Sequence, residues 1–294
     1  MTLDSCFRVT VGMCVKNSEA TIKEALISVL DQNFPHESIM LIIVDGYSQD
    51  KTLSIIKESL QKTDVETKFF YEYEGLGRAR QLVVDNAKGD FIVWVDGDMV
   101  LSKDFVKKQV EFMEKHPEVG IAKGKYGTHR SNRPGNLVAV LENVEFMLNT
   151  TLEGETNSRA LGASGCIYRI KAIRQVGGFD LLISGVGEDM DVENRIRGAG
   201  WKLHITSALF FETRRQTWKS LWNEYFWHGR GGRHLLKKNK CTINLYKMLP
   251  PVALTAELFR VPTAYKLTQR KAVLLLPFHY VFKRTAWFLG FLVS

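Results

Sequence analysis

The chain has 294 residues, 45% of them hydrophobic and 24% charged, with a formal net charge of +8. This is an ordinary globular balance, with material for one large domain or two and no low-complexity linker or internal repeat. Cys6, Cys14, Cys166 and Cys241 are not spaced as a metal knuckle or a redox pair, and Met1–Arg8 lacks a basic and then apolar leader. Reduced thiols, no signal peptide and a cytosolic setting are therefore expected.

The charge is divided unevenly. From Arg214 onward there are fifteen Lys or Arg against two acidic residues, a net +13, which leaves −5 for everything before it. A basic end of this kind suits phosphate-rich material, either membrane or nucleic acid.

Arg8 to Val15 is apolar and β-rich and predicts a first strand, closed by Lys16, Asn17, Ser18 and Glu19. Ile22, Leu26, Val29 and Leu30 follow at helical spacing, up to Pro35. Met40 to Val44 predicts a second buried strand ending in Asp45-Gly46-Tyr47-Ser48-Gln49-Asp50, with Asp50 placed to cap the helix of Leu53, Ile56 and Leu60. Lys68 to Tyr73 reads as a third strand. Gly75 and Gly77 open a helix carrying Arg78, Arg80, Leu82 and Val83, and Gly89-Asp90 breaks it.

Phe91-Ile92-Val93-Trp94-Val95 then predicts a buried strand that runs into Asp96-Gly97-Asp98. Four alternations of strand and helix predict an α/β fold with a mostly parallel sheet covered on both faces. In such sheets ligands bind at the carboxyl ends of the strands. Lys16 with Asn17, Asp45, and Asp96 with Asp98 all fall there, a nucleotide-sized crevice with a candidate cation site. Two carboxylates at that place suit one hard divalent ion shared with a diphosphate, although Asp-Gly is also common turn chemistry. There is no Gly-x-Gly-x-x-Gly and no Gly-Lys-Ser/Thr loop, which argues against a dinucleotide dehydrogenase or a P-loop enzyme. Arg80 or Arg78 would take phosphate instead.

Asn17, Glu19, Ser28, Gln32, Pro35, Val44 to Asp50, Ala79-Arg80, Ala87-Lys88-Gly89-Asp90 and Asp96-Gly97-Asp98, in this order and spacing, resemble the family 2 glycosyltransferases. The resemblance implies the GT-A fold, an Asp45 that reads the nucleotide base, and Lys16, Asn17, Glu19, Arg80, Asp96 and Gly97 around a nucleotide-sugar donor carrying UDP, GDP or dTDP. It implies that Asp96 and Asp98 form a DxD motif for Mg²⁺ or Mn²⁺. Two positions depart from the family: Gly46 stands where a second Asp is frequent, and Gln81 where Asn is.

Beyond Asp98, Phe105 to Met113 predicts a helix, Val119 to Tyr126 a strand, and Leu137 to Leu148 a helix without a chemical signal. Leu161-Gly162-Ala163-Ser164-Gly165 is a small-residue loop that permits close approach of a ligand on the acceptor side, notably at Gly162 and Ala163; it equally suits a bulge or bend. Glu188-Asp189-Met190-Asp191 opens a helix. Acids there complement a helix dipole. In the family pattern the pair is the ED motif, with Glu188 on the acceptor side and Asp189 as the general base of an inverting transfer, which needs a carboxylate opposite the leaving group. Lys202 to Ile205 and Ala208 to Phe211 read as two last strands. Gln216-Thr217-Trp218-Lys219 replaces the Gln-x-x-Arg-Trp of polymer synthases and argues against processive action.

Trp218 to Phe226 is helix-like and leads to His228-Gly229-Arg230-Gly231-Gly232-Arg233, where Arg230 suits either an acceptor-side phosphate or solvent. From Ile243 on, apolar runs broken by Pro277 alternate with Arg260, Lys266, Arg270, Lys271, Lys283 and Arg284, and none reaches the ~20 residues of a span. This suits helices lying on an anionic membrane surface better than a helical lid or oligomer contact, with a helical hairpin inserted in the membrane as a further alternative. The expected organisation is a GT-A catalytic domain over 1–213 (donor half about 1–100, acceptor half 101–213) and a basic amphipathic region over 214–294. The expected function is inverting, metal-dependent sugar transfer to a lipid-linked or glycan acceptor at the cytoplasmic membrane face, peripheral or monotopic. The rivals are a sugar-phosphate nucleotidyltransferase, a polyprenyl-phosphate sugar synthase, whose phosphate acceptor needs no base, and a nucleic-acid-binding protein. The long aliphatic runs of the tail argue against nucleic acid as a partner.

Overall fold

The structure is a computed structural model that describes residues 7–61, 63–127, 136–149, 154–156, 160–183, 186–238 and 245–293. Cys6 and Cys241 lie outside these; Cys14 and Cys166 are free thiols. The chain divides into two compact units, residues 1–127, 152–184 and 188–213, and residues 128–151, 185–187 and 214–294.

The first unit is built on one sheet. Its elements are β1 (Val9–Val15), α1 (Ile22–Leu30), β2 (Ile39–Asp45), α2 (Thr52–Leu60), β3 (Glu66–Tyr71), α3 (Leu76–Asn86), β4 (Phe91–Trp94), β5 (Met99–Leu101), α4 (Phe105–Lys115) and β6 (Val119–Tyr126). After α5 (Leu137–Asn149), which belongs to the second unit, come β7 (Gly154–Glu155), β8 (Cys166–Arg169), α6 (Ile170–Gln175), α7 (Glu188–Gly198) and β9 (Lys202–Glu212). The strand order is β3-β2-β1-β4-β8-β6-β9-β5, with β7 on β9. Pairing is parallel from β3 through β4 and between β6 and β9; β8, set between β4 and β6, is antiparallel to both.

Both faces of the central strands are buried, so β2 and β4 read as near-continuous apolar runs whose alternate residues enter opposite cores. Val9, Val11, Met13, Ile39, Leu41, Ile43, Phe91 and Val93 join one core with α1 and α4. Met40, Ile42, Val44, Ile92 and Trp94 join the other with Ala79, Val83 and Val84 of α3 and Val192 and Ile196 of α7. The carboxyl ends of β1, β2 and β4 consequently fall on one edge.

Two boundaries differ from the sequence reading. The two last strands are one, β9: Thr206 and Ser207 sit where the register against β6 shifts between Lys123/Ile205 and Lys125/Leu209, so an irregularity is absorbed without ending the strand. The helix expected to stop near Phe226 continues as α8 (Trp218–Lys238) through three glycines. Those glycines permit close packing. A Cβ on Gly229 would lie 1.9 Å from the Trp287 carbonyl oxygen, and one on Gly290 2.0 Å from that of Phe226. Both contacts are with α10 (Leu276–Val293), which with α9 (Pro250–Thr268), α5 and α8 makes the second unit.

Charge organises that unit's interior. Lys283 of α10 is fully buried, and its Nζ donates to Glu142 Oε1 at 2.7 Å and to Glu145 Oε2, both on α5. His279, one turn earlier, places Nε2 3.2 Å from Glu142 Oε1 and Nδ1 3.8 Å from Glu145 Oε2. Burial alone would raise the Glu142 carboxyl, but Lys283 and His279 hold it down at about 2. That carboxylate therefore stabilises the fold above its unfolded value of 4.5, and the contribution is lost as pH falls from there toward 2. Removing the lysine leaves two buried carboxylates without a cation. Lys283→Met is expected to lose about 3–5 kcal/mol of stability, read as a fall in the urea midpoint by tryptophan fluorescence. An unchanged midpoint at pH 7 would contradict this account.

Candidate active site

At the edge where β1, β2 and β4 end, two βα loops are stitched together. Asn17 N–H donates to Ser48 Oγ at 2.9 Å, and Gln49 N–H to Asn17 Oδ1 at 2.8 Å. Glu19 N–H donates to Asp50 Oδ2, and Lys51 N–H to Glu19 Oε2, both at 3.0 Å. Asp50 also accepts the Thr52 N–H at 3.0 Å, but the N-cap of α2 is Lys51, one residue on, so Asp50 stands just outside the capping position expected of it. Asn17 and Tyr47 both adopt positive φ, 49° and 58°. Asparagine tolerates this; for tyrosine it is strained, and strain of about 1–3 kcal/mol persists where surrounding bonds impose it.

Asp45 closes β2 fully buried, and both its carboxylate oxygens accept from Ser48: Oδ2 the N–H at 2.9 Å and Oδ1 the hydroxyl at 2.6 Å. The exposed groups beside it are Lys16, Asn17, Glu19, Tyr47 and Gln49. Tyr47 gathers Tyr71 and Tyr73 at ring-centroid distances of 5.6 and 5.9 Å, and all three are exposed. The sequence reading missed this aromatic group. Its one signal was Tyr71 and Tyr73 standing on the same face just past a strand end.

The Asp96-Gly97-Asp98 turn follows β4. Gly97 is required by space, since a Cβ there would lie 3.0 Å from Ser18 Oγ. Asp96 is partly exposed; its Oδ2 accepts from Ser164 Oγ and its Oδ1 lies 3.6 Å from Arg80 Nη2. Asp98, also partly exposed, accepts the Thr213 N–H on its backbone oxygen at 2.9 Å. Arg80, expected at donor phosphates, is instead 5% exposed in its side chain. It pairs with Glu188 Oε1 and lies 3.9 Å from Asp189 Oδ2, so it organises carboxylates.

Glu188 and Asp189 open α7 with Asp191, and Arg195 and Arg197 close it, each sign at the helix end that favours it. Glu188 is buried, whereas the Asp189 side chain is 23% exposed. Asp189 Oδ1 accepts the Met190 N–H at 2.7 Å and Oδ2 the Ala163 N–H at 3.2 Å. The small-residue loop thus touches both motifs, with Ala163 on Asp189 and Ser164 on Asp96. Gly162 has φ +70°, and a Cβ on it would lie 3.4 Å from Asp189 Oδ2, so glycine supplies both the turn and the access. Ser164 went unassigned in the sequence because nothing local predicts its reach to Asp96. Arg230 is an exposed residue of α8 in the second unit.

One guanidinium here faces Glu188, Asp96 and Asp189, with Asp98 close in sequence. Burial and the neighbouring Asp189 raise the Glu188 carboxyl to about 8 against the pull of Arg80. The all-oxygen donor set and the surplus of negative charge fit a hard divalent cation.

The sequence profile of the glycosyl transferase family 2 matches residues 10–177, and the chain belongs to that family. It is 32% identical over 107 residues to an uncharacterized glycosyltransferase of Haemophilus influenzae, which is 36% of this chain and 42% of that protein. It is 31% identical over 101 residues to the poly(ribitol-phosphate) beta-N-acetylglucosaminyltransferase TarS of Staphylococcus aureus, 34% of this chain and 18% of TarS. These matches span less than half the length of either relative. Among solved structures, the mannosyltransferase PcManGT of Pyrobaculum calidifontis in complex with GDP-Man and Mn²⁺ superposes with a TM-score of 0.66 at 16% identity, over 96% of this chain and 85% of that one. S. aureus TarS 1–349 in complex with UDP superposes with a TM-score of 0.55 at 16% identity, over 97% and 90%. The fold is GT-A.

Because Glu188 binds its proton more tightly folded than unfolded, the stability it contributes is full below 4.5 and lost as pH rises toward about 8. Glu188→Gln should flatten the fall of melting temperature between pH 5 and 8. Parallel slopes for the two proteins would rule this out.

Proposed function

We propose that the chain moves a sugar from a nucleotide-sugar donor to an acceptor hydroxyl with inversion, and that Asp189 is the general base. The observation that carries this is the single loop that bonds Asp189 through Ala163 and Asp96 through Ser164. It joins a partly exposed carboxylate at a helix start to the acidic turn after β4, the two groups a single displacement needs. Asp189 takes the acceptor proton, the acceptor oxygen bonds to the anomeric carbon, and the carbon–oxygen bond to the diphosphate breaks with its electron pair leaving on phosphate. Asp96 and Asp98 would hold Mg²⁺ or Mn²⁺; such an ion supplies charge stabilisation for the departing diphosphate. The donor base would lie by the Asp45 loop, against Asn17, Gln49 and the exposed tyrosines. The relatives' UDP and GDP-Man complexes support a nucleotide-sugar donor.

The second unit favours a lipid-linked acceptor at an anionic membrane surface, at the cytoplasmic face. It carries the +13 charge together with exposed Leu258, Phe259, Leu274 and Phe278, Phe259 being 85% exposed. Among the described residues no helix is long and apolar enough to cross a membrane. Surface association by buried apolar side chains and about 1 kcal/mol per basic residue fits both facts.

A screen of UDP-, GDP- and dTDP-sugars with Mg²⁺ or Mn²⁺, reading nucleotide release, tests the activity. Asp98→Ala and EDTA should each abolish it, and full activity in EDTA would exclude the metal. Asp189→Asn should lower kcat ~10²-fold or more with donor affinity nearly kept; an active variant would instead favour a phosphate acceptor. The full chain should sediment with vesicles containing anionic lipid and be released only in part by high salt, because the apolar contribution survives screening. No binding to such vesicles at low salt would sink the membrane reading.

A further inference from the structure

We propose that Glu193 is a positioning residue of this reaction, fixing the loop 161–165 to α7 and through it the relative placement of Asp189 and Asp96. The inference rests on the sugar-transfer reading above. Glu193 lies four residues past Asp189, one helical turn on, so the two carboxylates share a helix face. It is 1% exposed. Its Oε2 accepts two successive backbone N–H groups, from Leu161 at 2.8 Å and Gly162 at 3.3 Å, while Oε1 accepts from Arg197 Nη2 at 3.0 Å. The next N–H, from Ala163, goes to Asp189, the Ser164 hydroxyl to Asp96, and the Gly165 N–H to the Trp94 carbonyl at 3.1 Å. Five consecutive residues therefore run from Glu193 to the end of β4, and Asp189 and Asp96 both hang on the middle of that run.

A carboxylate in this position is costly. Burial raises it to about 7, Asp189 adds to that rise, and the Leu161 and Gly162 N–H groups and Arg197 oppose it. Cys166 and Tyr168 of β8 also face it, and Lys123 of β6 donates to the Leu161 carbonyl of the same loop. An apolar side chain would satisfy the core at this point. What it cannot supply is an acceptor for two adjacent N–H groups, and that acceptor places the loop. Misplacement of about 1 Å at a reacting group costs on the order of 10²-fold in rate.

The test uses the full chain with UDP-N-acetylglucosamine and GDP-mannose as probes in Mn²⁺. It compares kcat and KM for nucleotide release with amide hydrogen exchange at residues 161–163. Glu193→Ala should lower kcat by about 10²-fold, leave the donor KM within about twofold, and speed exchange at those amides. Glu193→Gln, whose amide oxygen accepts the same two N–H groups, should recover most of kcat and the slow exchange. A merely structural glutamate would lower melting temperature without this split and without rescue by glutamine. If Glu193→Ala does not fold, Glu193→Asp, one methylene too short, is read in its place. An unchanged kcat or unchanged exchange at 161–163 in the variant overturns the proposal. Failure of the transfer reading looks different: the wild type releases no nucleotide, or Asp189→Asn keeps full activity. The exchange measurement then decides the tie by itself.

Discussion

The site depends on one buried cation. Arg80 is almost without solvent, and a guanidinium in that condition must find carboxylates or destabilise the fold. Its three partners come from two directions: Asp96 from the end of β4, and Glu188 and Asp189 from the start of α7. Arg80 itself is held by α3, whose Ala79, Val83 and Val84 are locked into the core against β2 and Trp94. Packing of one helix thereby fixes the approach of two elements about ninety residues apart in the chain. The planar fork suits this role, where a lysine would offer a point charge. The arrangement is also unbalanced, three carboxylates to one guanidinium, and Asp189 adds to the rise that burial imposes on Glu188.

The second unit answers the same physical problem with a different residue. Lys283 is buried between Glu142 and Glu145, with the His279 ring beside both. Here the ammonium lies over the Tyr225 ring, 4.7 Å from its centroid. The cluster reads as registry for helices α5 and α10, which otherwise meet through interchangeable apolar residues such as Leu141, Val144 and Leu276. It also explains why α5, which the sequence placed in the catalytic domain, clusters with the C-terminal helices.

Strands rich in apolar residues and turns with glycine or aspartate were legible in the sequence to within a few residues, because both signals are local. Val119–Tyr126 is an example, and so are Asp50 just ahead of α2 and the acidic opening of α7. What was not legible depends on distant partners. The glycines of α8 look like a helix stop until α10 is seen at van der Waals range. Arg80 looks like a phosphate ligand until Glu188, 108 residues on, is placed against it. Asp45 marks the right loop, but its buried carboxylate is spent on Ser48, which no spacing rule foretells. The family resemblance named the candidates; the geometry redistributes them between buried ion pairs and exposed positions.

That redistribution separates rigid from accessible groups. Asn17 and Glu19, read as donor ligands, tie the two βα loops to each other, and the strain at Tyr47 is held by the same bonds. The edge made by these two loops is therefore ordered by its own hydrogen bonds, and under the proposed function this spares the binding energy otherwise needed to order it. Specificity at that edge must come from side chains pointing outward from a fixed frame, and the tyrosines are the ones with surface to offer. In the loop 161–165 only Leu161 and Ser164 carry more than a methyl group, and Leu161 is buried while the Ser164 hydroxyl is held on Asp96. The loop is shaped by what holds it from below, through Glu193 and Asp189, rather than by what it presents. A loop of this composition gives access and alignment but little discrimination, so choice of acceptor has to be exercised by residues other than those that carry out the transfer.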